Sequence, residues 1–172
     1  MPEQPSKNLE EIVHEVGRYP IDAFVFVQEC LTKAADKVHG PMSDEQKRLA
    51  QWMARHDIKF DEVVEQWETG QLPPRVAELV EQMGGPRCMN RHVTGQQLCH
   101  AIRDSALEQW GLMARSVLAR WNITRTEDIG AIIFALVDNH WLQKEPTDSI
   151  EDFAHVFSFS EAFDRAYRIP AP

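Results

Sequence analysis

Residues 91–142 of the chain read RHVTGQQLCHAIRDSALEQWGLMARSVLARWNITRTEDIGAIIFALVDNHWL, and this stretch carries the clearest helix signals. Thr94 followed by Gln97 forms a capping-box pattern, after which apolar residues recur at helical spacing. A second amphipathic pattern ends near Asn122, and a third begins near Thr126 and is apolar on nearly every side. The stretch therefore predicts three consecutive helices, the last of which lies in the core.

The same region differs in charge from the rest of the chain. The formal net charge is −9, yet residues 87–126 contain six arginines and only two acidic residues. Arginine binds carboxylate and phosphate groups in a bidentate manner, so these side chains either pair with the protein's own acids or bind an anion. The overall acidity argues against general affinity for nucleic acids or membrane surfaces.

Length and composition are typical of one globular domain. With 172 residues, of which 43% are hydrophobic and 26% charged, the chain predicts a single domain over residues 1–172. No apolar run reaches the roughly 18–20 residues of a membrane span, and the N-terminus lacks a signal-peptide layout. Cys30, Cys88 and Cys99 have no framework spacing, which indicates free thiols and a cytoplasmic location.

The other segments also predict helices. Apolar residues at helical spacing predict a short helix that Ser6 caps and Gly17 ends, followed by a longer helix after Pro20. Residues 43–85 contain three short amphipathic patterns. We interpret residues 43–85 as a helical insertion or subdomain within the single domain.

The pattern changes after Lys144. Residues 153–159, FAHVFSF, alternate between apolar and polar side chains as a half-buried strand does, and residues 141–143 suit an antiparallel partner. The fold class predicted is therefore mainly α, a single compact helical domain with a small C-terminal β-hairpin in a winged-helix-like arrangement. The helix before this wing has no basic residue between Glu127 and His140, so DNA reading by that helix is not expected.

Three segments together resemble a family of small uncharacterised bacterial proteins. Members of that family show an RHVTGQELL…ALEQFG…TEDFGEIVFNLVEAGLL pattern. The matching segments here are residues 18–31, 91–142 and 148–165, with the most specific matches at Arg91, His92, Thr94, Gly95, Gln96, Glu127, Asp128 and Gly130. Residues 43–85 do not fit the pattern, and His140 stands where the family has glycine. The resemblance implies a shared fold and no activity.

The strongest candidate site is the start of the helix that Thr94 caps. A helix N-terminus offers unpaired N–H groups and partial positive charge, and Gly95 permits close approach to the backbone. The sequence therefore predicts a non-catalytic interaction or regulatory module that binds an acidic protein segment or small anion at Arg91–Gln96. The predicted binding residues are Arg87, Arg91, His92, Thr94, Gly95, Gln96, His100 and Arg103. A purely structural role for the same residues is the alternative.

Two further function classes stay open at this level. An enzyme site could assemble from His92, His100 and Asp104, because His100 and Asp104 lie one helical turn apart. No nucleophile is placed beside them, which favours a protein without catalytic residues. The second class is weak nucleic-acid binding through the arginines of residues 87–126.

Neither a metal nor another cofactor is expected. Cys88, His92, Cys99 and His100 have C-x3-H-x6-C-H spacing, which differs from the paired ligands of structural zinc sites. The partner expected is a protein or a small anion, with no membrane and no strong nucleic-acid affinity. The sequence leaves self-association into a homo-oligomer open.

Overall fold

The structure is a computed structural model that describes residues 6–165. Within that range the regular elements are helical, and none of the helices is both long and apolar enough to cross a membrane. The α-helices are α1 (Leu9–Val16), α2 (Ile21–His39), α3 (Asp44–His56), α4 (Phe60–Glu68), α5 (Pro74–Gln82), α6 (Gly95–Trp110), α7 (Ala114–Arg120) and α8 (Thr126–Asp138). Short 3-10 turns occupy Pro86–Met89, Gly111–Met113 and Ile150–Phe153, and Ser160–Arg165 forms a π-helical turn.

The predicted β-hairpin is wrong, and so is the winged-helix-like arrangement that depends on it. Residues 6–165 contain no strand, whereas the mainly helical character is confirmed. His155, in the middle of the expected strand, has a φ of 49°, a left-handed conformation that ends extended structure. The alternation of FAHVFSF instead arises because Phe153 and Phe159 enter the core from an irregular segment.

The chain forms two compact units. One, called here the α3–α5 unit, comprises residues 35–92. The other, called the α6–α8 unit, comprises residues 6–34 together with residues 93–165. That residues 1–172 act as a single domain with an insertion at 43–85 stays a prediction.

The α3–α5 unit has a small core of its own. Capping boxes are local, and the predicted one at Ser43 is confirmed, since its Oγ accepts from Gln46 N at 3.2 Å. The three amphipathic helices turn their apolar faces toward one another, because that is how short helices remove apolar surface from water. The buried residues are Leu49, Val63, Leu72, Val76 and Val80, with Trp52, Met53 and Trp67 packed partly buried against them.

The α6–α8 unit contains the larger core. Helix α8 is apolar on nearly every side, and its predicted burial is confirmed, since it contributes Ile129, Ile132 and Leu136. Helices α2 and α6 pack their apolar faces into the same cluster through residues that include Phe24, Val27, Leu98 and Ile102.

A buried carboxylate joins the start of α8 to the connection between α1 and α2. Asp128 is only 1% exposed and accepts hydrogen bonds from the Tyr19 hydroxyl at 2.7 Å, Thr124 N at 2.9 Å and Arg125 N at 3.1 Å. The oxygen that accepts from Tyr19, Oδ1, also lies 2.9 Å from Arg18 Nη2. Because an unpaired buried charge is costly, these partners are what allow Asp128 to stay in the core.

Candidate functional site

The helix start at Thr94 has the predicted capping box. Thr94 Oγ1 accepts from Gln97 N at 3.2 Å, and Gln97 Oε1 accepts from Thr94 N at 2.9 Å. Each side chain thereby satisfies a backbone donor that a helix N-terminus otherwise leaves without a partner. Thr94 and Gln96 are exposed, whereas Gly95 between them is buried.

Gly95 permits a close approach, but the group that approaches belongs to the protein. A Cβ built on Gly95 would lie 3.0 Å from Phe153 Cε2 and 3.1 Å from Asp152 Cβ. The space beside this glycine is therefore occupied by the 3-10 turn Ile150–Phe153. Binding of an external anion at the start of α6 stays a prediction.

Phe153 is the residue in this region that sequence reasoning missed. A Cβ on Gly130 of α8 would lie 2.9 Å from both Cβ and Cγ of Phe153, so the same ring contacts a glycine on α6 and another on α8. The signal in the sequence is the pair of glycines inside two helix patterns, since such glycines often mark close packing. The two glycines and Phe153 form what we call the glycine cradle.

Hydrogen bonds from backbone N–H groups to two side chains of α8 hold the segment after Phe153 against the start of that helix. Thr126 Oγ1 accepts from Val156 N at 3.3 Å, and Glu127 Oε1 accepts from His155 N at 3.2 Å. Burial raises the pKa of Glu127, but hydrogen bonds from its own N–H and from that of His155 outweigh burial. The pKa of Glu127 therefore lies below its ordinary value. The carboxylate is ionised at neutral pH and can accept the hydrogen bond from the His155 N–H.

Arg91, at the centre of the predicted site, pairs within the α3–α5 unit. Its Nη2 lies 2.5 Å from Asp36 Oδ1, and its side chain is 13% exposed. The backbone of His92 is also engaged: its carbonyl oxygen lies 2.7 Å from His39 Nε2, and its N–H donates to Asn90 Oδ1 at 3.2 Å. These contacts give Arg91 and His92 a structural role in residues 35–92.

Arg87 is placed differently from Arg91. It is exposed in the 3-10 turn Pro86–Met89, and its guanidinium has no hydrogen bond or ion pair with residues 6–165. It lines a cleft of about 230 Å³ together with Val64, Trp67, Glu68, Gly84, Gly85 and Pro86. Trp67 also lines a second cleft of about 130 Å³ beside Leu72 and Ala77. A guanidinium next to an indole and apolar side chains is a combination common in binding sites.

His100 and Arg103 of α6 both contact one aromatic ring in the α6–α8 unit. The rings of His100 and Phe157 are 5.5 Å apart, and the Arg103 guanidinium lies 6.0 Å from the Phe157 centroid. Arg103 also donates to Asp104 Oδ1 from Nε at 2.9 Å and from Nη2 at 2.7 Å. Asp104, which the sequence paired with His100, therefore accepts from its own neighbour.

The cysteines give no support to nucleophilic catalysis. Cys30 and Cys99 are buried, and burial raises the pKa of their thiols to about 11 and about 12. Such thiols stay protonated at neutral pH, and the thiolate is the nucleophilic form. Cys88 is exposed and free in the α3–α5 unit. Among residues 6–165, no group of three or more His, Cys, Asp and Glu side chains is placed to hold a metal ion.

The predicted set is divided between the two units. Arg87, Arg91 and His92 belong to the α3–α5 unit, and Thr94, Gly95, Gln96, His100 and Arg103 belong to the α6–α8 unit. The residues of the α3–α5 unit include an exposed arginine that lines a cleft. Those of the α6–α8 unit lie on a capped helix that packs against phenylalanine side chains.

Comparisons with known proteins add no assignment. No protein-family model matches the chain, and no curated protein and no solved structure matches it significantly. The resemblance to small bacterial proteins therefore stays a prediction, and a function has to be argued from the chain's own residues.

Proposed function

We propose that the protein is a non-catalytic binding module whose α3–α5 unit holds an acidic segment of a partner protein in the cleft beside Arg87. The observation that supports this most is the Arg87 guanidinium itself, exposed beside Trp67 in a cleft of about 230 Å³ and without a partner among residues 6–165. Arg87 is one of the binding residues predicted from the sequence. Of that predicted set, the proposal keeps only the part that belongs to the α3–α5 unit.

The lining of the cleft determines the class of ligand. Val64, Trp67 and Pro86 offer apolar contact, and Arg87 offers a bidentate donor for one carboxylate. Glu68 lines the same cleft and repels dense negative charge. A peptide with a single Asp or Glu next to an apolar residue suits this lining better than a polyphosphate or nucleic acid does.

Three of the five other arginines of residues 87–126 are already engaged by acids, which argues against a nucleic-acid surface. Arg91 pairs with Asp36, Arg103 with Asp104 and Arg115 with Asp164. Phosphate binding by these three would require breaking an existing pair. Arg87 can bind an anion without the loss of an ion pair.

A cytoplasmic location belongs to the same proposal. Cys30 and Cys99 are buried as free thiols, a state that a reducing compartment maintains.

The proposal is tested by NMR on the ¹⁵N-labelled full-length chain. The probe is the peptide acetyl-Leu-Asp-Leu-amide, and its Asn counterpart is the uncharged control. The chain has five tryptophans, so the Trp67 indole N–H is assigned from the signal that Trp67→Phe removes. We expect that signal to shift with the Asp peptide and to shift much less with the Asn peptide.

Variants locate the contact. Arg87→Ala should weaken binding roughly tenfold or more, because a hydrogen bond to a charged group contributes about 1.5–3 kcal/mol. Arg75→Ala, an exposed arginine of α5 outside the cleft lining, is the matched control and should leave binding unchanged. Equal binding by wild type and Arg87→Ala would contradict the proposal. Loss of binding in Arg91→Ala with His92→Ala, but not in Arg87→Ala, would favour the Arg91–Gln96 site instead.

A further inference from the structure

The α6–α8 unit exposes a basic apolar face next to α7. Leu112 and Met113 are 63% and 61% exposed, and Met113, Val117 and Arg120 follow at i, i+4 and i+7 spacing. Between positions 109 and 126 there are three arginines and no acidic residue. Arg115 pairs with Asp164, whereas Arg120 is exposed and has no side-chain partner among residues 6–165.

Helix α2 exposes an acidic apolar face in the same unit. Ile21 and Val25 are 38% and 41% exposed, and Asp22 and Glu29 are exposed beside them. These residues fall within about 100° of arc on α2, given about 3.6 residues per turn. Residues 20–31 contain two acids and no base, and neither acid has a side-chain partner among the described residues.

One aromatic cluster lies between the two faces. Phe26 of α2 contacts Trp110 with ring centroids 5.0 Å apart and Trp121 with centroids 5.6 Å apart. The two indoles also stack edge to face at 5.5 Å, and both remain partly exposed. The acidic face of α2 and the basic face beside α7 are therefore neighbours on one copy.

We infer that a second copy of this chain covers these faces in a two-fold dimer, with α2 of each copy against the α7 face of the other. The argument rests on complementarity: one face offers Arg120, the other offers Asp22 and Glu29, and each adds exposed apolar side chains. Because both faces adjoin the Phe26 cluster, a two-fold axis near that cluster satisfies both contacts and closes the assembly.

The composition of the surface agrees with this use. Tryptophan, methionine and arginine are enriched in interfaces, and Trp110, Trp121, Met113 and Arg120 supply all three types. The apolar side chains provide most of the affinity, while the charges set the pairing and the rate of association. This inference is independent of the Arg87 cleft, which belongs to residues 35–92.

Sedimentation velocity on the full-length chain tests the dimer across low-micromolar to near-millimolar concentrations. Wild type should dimerise. Met113→Glu places an acid against the acidic α2 face and Val25→Lys places a base against the arginine-bearing α7 face, so each should raise the dissociation constant about tenfold or more. Val38→Lys is the matched control, because Val38 is a similarly exposed valine of α2 in the α3–α5 unit, and it should change nothing. Circular dichroism verifies folding, which substitutions at exposed positions should not alter.

A charge exchange tests which faces meet. Arg120→Glu alone and Glu29→Arg alone should each weaken the dimer, and the double variant should recover affinity because the opposite charges face each other again. A monomer at every concentration would overturn the inference, and so would dimers insensitive to both Met113→Glu and Val25→Lys. A dimer in which the double variant is no tighter than either single one would overturn the pairing of α2 with α7.

Discussion

Asp128 shows how one residue couples distant parts of the chain. It is buried, and its carboxylate accepts hydrogen bonds from a phenol and two backbone N–H groups and pairs with the guanidinium of Arg18. The sequence shows a carboxylate near a helix start, which any solvated N-terminus would favour. It does not show that Tyr19, 109 positions earlier, donates to that carboxylate.

Alkaline pH should destabilise the fold through buried groups. Burial, together with the hydrogen bond to Asp128, raises the pKa of Tyr19 well above its ordinary value, and burial raises those of Cys30 and Cys99 to about 11 and about 12. Groups whose pKa is raised on folding stabilise the protein below their unfolded pKa, and this contribution is lost as pH rises. The free energy of unfolding should therefore fall from about pH 8.5, where unfolded thiols ionise, and fall faster above about pH 10, where an unfolded tyrosine does.

Urea unfolding at stepped pH measures this effect, and Tyr19→Phe isolates the phenol. The variant should lose about 1.5–3 kcal/mol at neutral pH with the hydrogen bond to the Asp128 carboxylate, and its decline above about pH 10 should be shallower. A decline with the same slope in wild type and Tyr19→Phe would show that Tyr19 does not control it.

At the scale of elements, the sequence predicted what is local. The capping boxes at Ser43 and Thr94 involve residues three positions apart, and both are present. The cap of α1 is Asn8 and not Ser6, a local error, since Asn8 pairs reciprocally with Glu11. The FAHVFSF segment was predicted incorrectly because its rings pack on each other outside any strand, with the centroids of Phe157 and Phe159 5.9 Å apart, and such packing imitates the period of a strand.

In the glycine cradle, replacing glycine by alanine should destabilise the protein, although the same replacement usually stabilises a helix. In an ordinary helix interior, Gly→Ala stabilises by about 0.5–1 kcal/mol. At Gly130 the new Cβ would lie 2.9 Å from Phe153 Cβ, so the turn Ile150–Phe153 must shift away from α8. We expect Gly130→Ala to lower the free energy of unfolding by about 1–3 kcal/mol, as overpacking does, measured by urea denaturation.

A double-mutant cycle separates this clash from other effects. Phe153→Ala alone should cost about 3–5 kcal/mol, because it removes a buried ring. Phe153→Ala removes the Cγ and Cδ2 contacts and keeps only the Cβ contact, so adding Gly130→Ala to Phe153→Ala should cost clearly less than Gly130→Ala costs in the wild type. Strictly additive costs would place the strain of Gly130→Ala elsewhere.

For the whole molecule, the sequence grouped residues that the structure distributes. Arg91 and His92 are neighbours of Thr94 in the chain, but Arg91 pairs with Asp36, 55 positions earlier, inside residues 35–92. An ion pair between residues so far apart in the chain leaves no signal in local spacing. Arg87 was included for its charge and its place just before the helix that Thr94 caps. The cleft beside Trp67 depends on how α4 and the turn Pro86–Met89 pack, which periodicity does not specify.

The two core clusters share no residue, and this predicts two regions of separate stability. Leu49→Ala in the α3–α5 unit and Ile102→Ala in the α6–α8 unit each remove a buried side chain, at a cost of about 2–5 kcal/mol. By hydrogen-exchange mass spectrometry, Leu49→Ala should accelerate exchange chiefly in α3–α5, and Ile102→Ala chiefly in α6–α8. Ile150→Ala, at an exposed position, is the control and should change little. Equal acceleration in both units by either core variant would support one cooperative domain over residues 1–172.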